Sequence, residues 1–351
     1  MPSNERETTV RLALPSKGAL SKSTLSLLKA CGIGVSRPND RQYVGSVPAL
    51  PQMIVLFQRA ADIFTKVEEG SADLGITGYD IVREEIQGHD NVVVIWERLG
   101  YGGCKLVLAV PESWVDIASI EDLADLALLF REKGRTLRIA TKYPNLTRNW
   151  LYERRVVHFS LVSVQGAMEA APSMGYADMI ADLTSTGTTL RENRLKQLNG
   201  GTILDSQACL IGNKRMLQEY DIKLQTTQTI LELLEAQLES KKYVSITANI
   251  HGRSPEEIGQ RLMDSAALNG LAGLRGPTIS KVYSGRSDDW YAATIVVSRD
   301  KLLSAVKHLR SAGGTDITVL SPDYVFAAQS QQYNLFLETL KEPMPVSKIG
   351  I

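Results

Sequence analysis

The apolar positions fall into short runs separated by polar turns, and their spacing changes along the chain. Residues 10–14 predict a first strand, stopped by Pro15. Ser16, Lys17 and Gly18 then turn into a helix with Leu20, Leu27, Leu28 and Cys31 on one face. Further runs predict strands over 54–57, 73–76, 92–95 and 105–110, with helical segments over 61–69 and 79–86. Strands alternating with short helices imply an α/β layer with parallel pairing. Residues 111–134 are more acidic and helical in pattern, an excursion from that alternation. It resumes with a strand over 137–140, a helix from Leu146, a strand near 158–162, a helix over 165–170 and a strand over 178–183. Residues 202–211 predict a strand pair returning to the first lobe, and a helix over 227–241 leads out. A two-lobed body is the economical arrangement, because clefts at strand ends collect ligands.

The last third reads differently. Val244, Ile246, Ala248 and Ile250 alternate as a half-buried strand does, and Ser254, Pro255, Glu256 and Glu257 form a capping-box sequence that starts a helix. Strands over 278–283 and 291–297, a helix over 301–312 and a strand over 316–320 complete the order βαββαβ, that of a ferredoxin-like unit. Such units more commonly sense a small molecule or hold subunits together, a fold-level analogy. The expected domains are a lobe from 1–110 and 203–241, a second lobe over 111–202, the ferredoxin-like unit over 242–325 and a tail over 326–351.

Charge narrows the partners. Lysine plus arginine and aspartate plus glutamate both total 39 in 351 residues, so no global field draws the chain to nucleic acid or membrane. Aromatics at 6% argue against base-stacking platforms. Cys31, Cys104 and Cys209 form no CxxC pair, and His89, His158, His251 and His308 lack metal-ligand spacing. The first nine residues are polar, without an apolar signal core, so a cytoplasmic protein is expected; the plastid stroma is the alternative if a transit peptide has been removed.

Two segments carry candidate chemistry. In residues 178–190 a strand runs into Ser185, Thr186, Gly187, Thr188 and Thr189, where a helix begins. Gly187 lets the backbone approach a ligand, and helix-start amides with four hydroxyls suit a phosphate monoester. Asp178 and Asp182 flank that turn and suit ribose hydroxyls or a magnesium shell. The same residues also fit a plain Ser/Thr-rich helix cap. Residues 70–80 repeat the plan in the other lobe, with Asp73, Thr77 and Gly78, and Lys17 and Arg59 follow strand ends where cations meet phosphates. No GxxxxGK[ST] phosphate loop occurs.

Together the segments 14–18, 57–60, 73–78, 140–146, 166–193 and 276–280 resemble the ATP phosphoribosyltransferase family, in its long form with a C-terminal regulatory domain. The resemblance covers roughly residues 10–325. It implies an α/β fold: a two-lobed, periplasmic-binding-protein-like catalytic body plus a ferredoxin-like (βαββαβ) regulatory domain. It implies transfer of phosphoribosyl from phosphoribosyl pyrophosphate to N1 of ATP, with Mg2+ on the pyrophosphate, as the first step of histidine biosynthesis. L-Histidine is the implied feedback inhibitor, and a homo-oligomer, dimers assembling into hexamers, the implied state.

Under that resemblance Glu169, Asp178 and Asp182 are the catalytic carboxylates, with Asp178 and Asp182 the candidate metal ligands. Asp182, Ser185, Thr186, Gly187, Thr188 and Thr189 take phosphoribosyl pyrophosphate. Lys17, Gly18, Arg59, Asp73, Thr77 and Gly78 line the nucleotide and pyrophosphate side. The chain has Ala19 where the family continues Lys-Gly with arginine, and Phe64 where it commonly has proline. The alternatives are a catalytically impaired regulatory paralogue, which Ala19 favours, and a two-lobed binding protein for an anionic solute.

Overall fold

The computed structural model describes residues 7–39, 41–164, 166–263, 276–283 and 289–341. Residues 1–6, position 165 (where a predicted helix begins) and residues 342–351 of the expected tail lie outside them. Over the described residues the chain divides into two compact units, one of 7–29, 33–226 and 335–341, the other of 30–32 and 227–334.

The first unit carries β1 (Val10–Pro15), β2 (Val44–Ser46), β3 (Met53–Gln58), β4 (Leu74–Gly78), β5 (Val92–Trp96), β6 (Cys104–Pro111), β7 (Leu137–Thr141), β8 (Phe159–Val162), β9 (Met179–Thr184), β10 (Leu195–Ser206) and β11 (Ala208–Asn213). They form two sheets, ordered β2-β3-β1-β4-β11-β5 and β10-β6-β9-β7-β8. β1 lies parallel to β3 and β4, and β7 parallel to β8 and β9. Each sheet therefore has three neighbouring parallel strands, as the α/β alternation predicts. All six positions of β1 are buried, as in a central strand covered on both faces. On one face Ala13 packs with Ile63, Phe64 and Val67 of the helix Ala60–Glu68. Phe64, at a position where the family commonly has proline, is thus a core residue.

Four sequence expectations shift. The lobe boundaries move, because β6 pairs antiparallel with β9 and β10 and so belongs to the second sheet. The predicted pair over 202–211 is not a pair: β10 stays in the second sheet, β11 joins the first, and Gln207 makes the crossing. The acidic excursion is an integral part of the second lobe's core. It holds the helix Ile120–Glu132, opened by a reciprocal Ser119–Asp122 capping box. That helix buries Ile120, Leu123 and Ala127 against Leu151, Met179 and Ala181, in the second lobe's core. The helix expected to end at Ala170 is only a 3-10 turn, Met168–Ala170, and Pro172 supplies no N–H that could bond back to Met168 O.

The second unit has β12 (Tyr243–His251), β13 (Thr278–Val282), β14 (Trp290–Ser298) and β15 (Gly314–Leu320), ordered β13-β14-β12-β15 and antiparallel throughout. With helices Pro255–Met263 and Leu302–Ser311 this is the predicted ferredoxin-like unit. Val244, Ile246, Ala248 and Ile250 pack against Ile258, Leu262 and Leu309. Ser254 Oγ accepts from Glu257 N at 3.3 Å, and the Glu257 carboxylate reaches back to Arg253 N at 2.9 Å. The tail beyond Phe326 carries a further helix, Gln331–Lys341, with Phe336 and Leu340 buried.

Candidate active site

Strand register brings the two candidate turns to one junction. β1 and β3 end level, Pro15 opposite Gln58, so Lys17 and Arg59 both follow strands at the C-terminal edge of the first sheet. β4 ends at the same edge, and its Gly78 pairs with Ala208. Two residues earlier Ser206 pairs with Cys104 of the second sheet, and Lys105 pairs with Thr184 at the end of β9. Ligand sites in α/β sheets form at such carboxyl ends.

Lys17, Gly18 and Arg59 are exposed, and neither cation has a side-chain partner among the described residues. Thr77 is different. Its hydroxyl is buried and donates to Ala60 O at 2.7 Å, so it ties β4 to the first turn of the neighbouring helix and does not face a ligand. Gly78 has a steric reason: a Cβ there would stand 2.4 Å from the Asp80 Oδ1 atom. The bare backbone lets that carboxylate fold back over the strand end.

In the second lobe the turn after β9 is exposed. Gly187 sits at φ 73°, ψ 2°, left-handed backbone that other residues adopt at a cost. Its N–H donates to Thr184 Oγ1 at 2.9 Å, and Thr186 Oγ1 lies 3.0 Å from Thr188 Oγ1. Ser185, Thr186, Thr188 and Thr189 face solvent at the start of the helix Thr188–Glu192. Asp182 accepts from Leu183 N at 2.8 Å. Burial pushes its carboxyl above the usual range, and the negative charge of Glu169 adds to this while Lys142 opposes it. The charges of Asp182 and Glu169 thus act on one another.

A network not anticipated from sequence ties the lobes together. Asp80 accepts from Ser206 Oγ at 2.7 Å and from Tyr143 Oη at 2.6 Å, while its own N–H donates to Ser206 Oγ at 2.9 Å. Tyr143 is held protonated by burial first, then by the charges of Asp80 and Asp182. Four residues on from Asp80, Glu84 accepts from Asn145 N at 2.8 Å and Leu146 N at 2.9 Å. It caps the helix Pro144–Glu153, and burial raises its carboxyl above the ordinary value.

Asp73 and Asp178 do not join the site. Each precedes a strand, at the end opposite the turns. Asp178 takes Arg138 N, Nε and Nη2 at 2.8, 3.2 and 3.0 Å. Asp73 takes the same three donors from Arg11 at 2.7, 3.2 and 2.9 Å, and Lys223 Nζ at 2.7 Å. Both arginines also donate to a glycine carbonyl, Gly70 O and Gly175 O. These are matching structural clamps in the two lobes, so neither aspartate is a catalytic, nucleotide or metal-ligand residue. Among the described residues no group of three or more His, Cys, Asp or Glu could hold a metal by itself.

The ATP phosphoribosyltransferase (HisG) family matches residues 59–236, and the HisG C-terminal domain matches 240–322. ATP phosphoribosyltransferase 2, chloroplastic, of Arabidopsis thaliana is 40% identical over 337 residues, 94% of this chain and 80% of the relative. The chain belongs to the ATP phosphoribosyltransferase family. A Brucella melitensis ATP phosphoribosyltransferase is 47% identical over 210 residues, 59% of this chain and 91% of that one. A solved chain of the ATP phosphoribosyl transferase (HisG:HisZ) complex from Thermotoga maritima aligns at 25% identity and TM-score 0.48, over 65% of this chain and 99% of its own. The family match to 240–322 coincides with the ferredoxin-like unit, and the match to 59–236 contains Arg59, the 185–189 turn and the Asp80, Tyr143 and Ser206 network, while Lys17 precedes it. Within this ATP phosphoribosyltransferase, sequence reasoning missed Asp80, Glu84, Lys142, Tyr143 and Ser206. Asp80 and Tyr143 each stand two residues past a strand end, in the segments 70–80 and 140–146, and that position was the available signal.

Proposed function

We propose that this ATP phosphoribosyltransferase transfers phosphoribosyl from phosphoribosyl pyrophosphate to N1 of ATP and releases pyrophosphate, the first step of histidine biosynthesis. The observation that carries this reading is the hydroxyl turn at 185–189 beside the Asp182–Glu169 pair, within a chain 40% identical to a relative of that name over 94% of its length. Displacement at the anomeric carbon builds positive charge on the ribose while negative charge leaves with pyrophosphate. Positioned charges can stabilise both, with no covalent nucleophile. The hydroxyls and amides of the turn take the 5-phosphate. Asp182 and Glu169 face the ribose, and Lys17 and Arg59 meet the phosphates from the first lobe. Asp80, Tyr143 and Glu84 hold the lobes in register.

The donor set suits a substrate-borne magnesium ion. The charge of Glu169 acts unfavourably on the Asp182 carboxylate, a repulsion a divalent cation would relieve, and such ions bind through one or two carboxylates plus substrate phosphates. When bound, the ion would neutralise charge on the departing pyrophosphate. Asp178, clamped by Arg138, has no part in this.

In the same reading the ferredoxin-like unit binds L-histidine as inhibitor, and the chain works as a homo-oligomer of dimers and hexamers. Among the described residues no helix is long and apolar enough to cross a membrane. The compartment is the cytoplasm in this reading, and the chloroplastic names of two plant relatives make the plastid stroma the alternative. Ala19, exposed at the start of the helix Gly18–Ala30, keeps the impaired-paralogue reading as the competitor.

A coupled assay of pyrophosphate release from purified chain with ATP, phosphoribosyl pyrophosphate and magnesium decides between them. Turnover that stops without magnesium and falls with histidine is expected. Binding of both substrates without release would establish the paralogue reading instead.

A further inference from the structure

We propose that the second lobe carries a separate binding pocket for a phosphate monoester of nucleotide size, at the end of its sheet away from the 185–189 turn. The pocket measures about 750 Å³, within the range of small-molecule sites. Arg135, Arg138 and Arg194 line it together with Trp114, Phe130 and Asn193.

The three arginines are not equivalent. Arg138 is committed to Asp178 and to Gly175 O. The guanidinium of Arg135 lies 4.4 Å over the Phe130 ring and 3.7 Å from Asp178 Oδ1, with its side chain 58% exposed. Arg194 holds a left-handed backbone at φ 56° although it is not glycine, a conformation that persists where surrounding structure enforces it. Its carbonyl accepts from Glu112 N at 2.9 Å, and its N–H donates to Arg191 O at 3.0 Å. The Arg194 side chain has no partner among the described residues and is exposed.

Two acids also line the pocket, Glu112 and Asp178. Asp178 is held by Arg138 at 3.0 Å and lies 3.7 Å from Arg135, so Arg135 is only loosely engaged and Arg194 has no acid partner among the described residues. Two guanidinium groups from separate segments suit the dianion of a phosphate monoester. Trp114, whose carbonyl is pinned by Lys196 Nζ at 2.6 Å, sets its ring edge-to-face with Phe130 at 6.4 Å. These rings offer apolar surface to the rest of the ligand, which inorganic phosphate would leave unused. The walls lead to the reaction site: Asn193 and Arg194 follow the helix Thr188–Glu192, and Asp178 precedes β9, which ends at Thr184.

The test is the emission of Trp114 in the full chain titrated with AMP. AMP also fits a nucleotide cleft, so Thr188→Val serves as the cleft control. A saturable change is expected in the wild type and in Thr188→Val, absent in Trp114→Phe. Its midpoint is expected to move at least tenfold in Arg194→Gln and Arg135→Gln and to recover partly in Arg194→Lys. Ribose 5-phosphate should reproduce the change and adenosine should not. An unchanged midpoint in Arg194→Gln, or a response to adenosine alone, would overturn the proposal. So would emission that follows protein concentration and ignores AMP, which would assign the pocket to contact between copies.

Discussion

Tyr143 donates its hydroxyl to the Asp80 carboxylate at 2.6 Å, a bond between residues 63 positions apart and in different lobes. Asp80 leaves the first sheet where β4 ends, and Tyr143 follows β7 of the second. Their contact closes the junction on which the hydroxyl turn and the paired acids converge. Hydrogen bonds to ionised groups contribute about 1.5–3 kcal/mol, so Tyr143→Phe should lower the stability of the first unit by that order. Urea unfolding followed by circular dichroism checks it. A shift under about 0.5 kcal/mol would mean the bond only decorates the junction.

Asp182 should trade stability for function. Its folded-state pKa is raised, chiefly by burial and then by Glu169. A raised pKa favours the folded state when the group is protonated, so the contribution is full below the unfolded value and is lost as pH rises through the folded one. Asp182→Asn should therefore be at least as heat-stable as the wild type at pH 7, with the advantage vanishing toward pH 3. Its turnover should fall roughly 100-fold or more. Melting curves across pH and a rate assay on the same preparation test both halves.

Gly187→Ala isolates the backbone of the turn. No atom lies within 4 Å of the added methyl, so the strain of φ 73° is the whole effect, about 1–2 kcal/mol. Paid at the loop, this should raise KM for phosphoribosyl pyrophosphate about tenfold, while KM for ATP stays within twofold. Equal changes in both constants would argue against the turn as the phosphate cradle.

The two clamps should differ in strength and be alike in leaving catalysis alone. Asp73 is fully buried between Arg11 and Lys223, and removing one partner of a buried ionic group costs about 3–5 kcal/mol. Asp178 faces an Arg138 side chain that is 40% exposed, so screening holds the cost of Asp178→Ala nearer 1 kcal/mol. Denaturant midpoints of Asp73→Ala and Asp178→Ala give the comparison. Unchanged kcat in whichever variant folds would confirm that neither touches substrate.

What could be read from sequence was what is local. The hydroxyl turn was legible because strand, small residues and helix start follow one another within a dozen positions. The ferredoxin-like unit was legible because β12 alternates without interruption. Asp73 and Asp178 misled because each sits near a glycine turn in the chain yet occupies the far end of its strand. A strand of six residues spans about 20 Å, and adjacency in sequence hides that length. Their true partners, Arg11 and Arg138, were visible as lone cations inside apolar runs, each followed much later by Gly-x-Ala-Asp. The Asp80–Tyr143 bond and the Glu84 cap on the helix Pro144–Glu153 span some sixty residues. The crossings between the sheets at 97–103 and at Gln207 make them neighbours, and no local pattern encodes that.

The central claim is that the paired acids beside the hydroxyl turn carry phosphoribosyl transfer to ATP. The direct measurement is mass-spectrometric detection of phosphoribosyl-ATP after incubating purified chain with both substrates and magnesium, in parallel with Asp182→Asn. Product from the wild type, with a loss of roughly 100-fold in the variant, is the predicted result. Product formed equally by both, or by neither while both substrates bind, would contradict it.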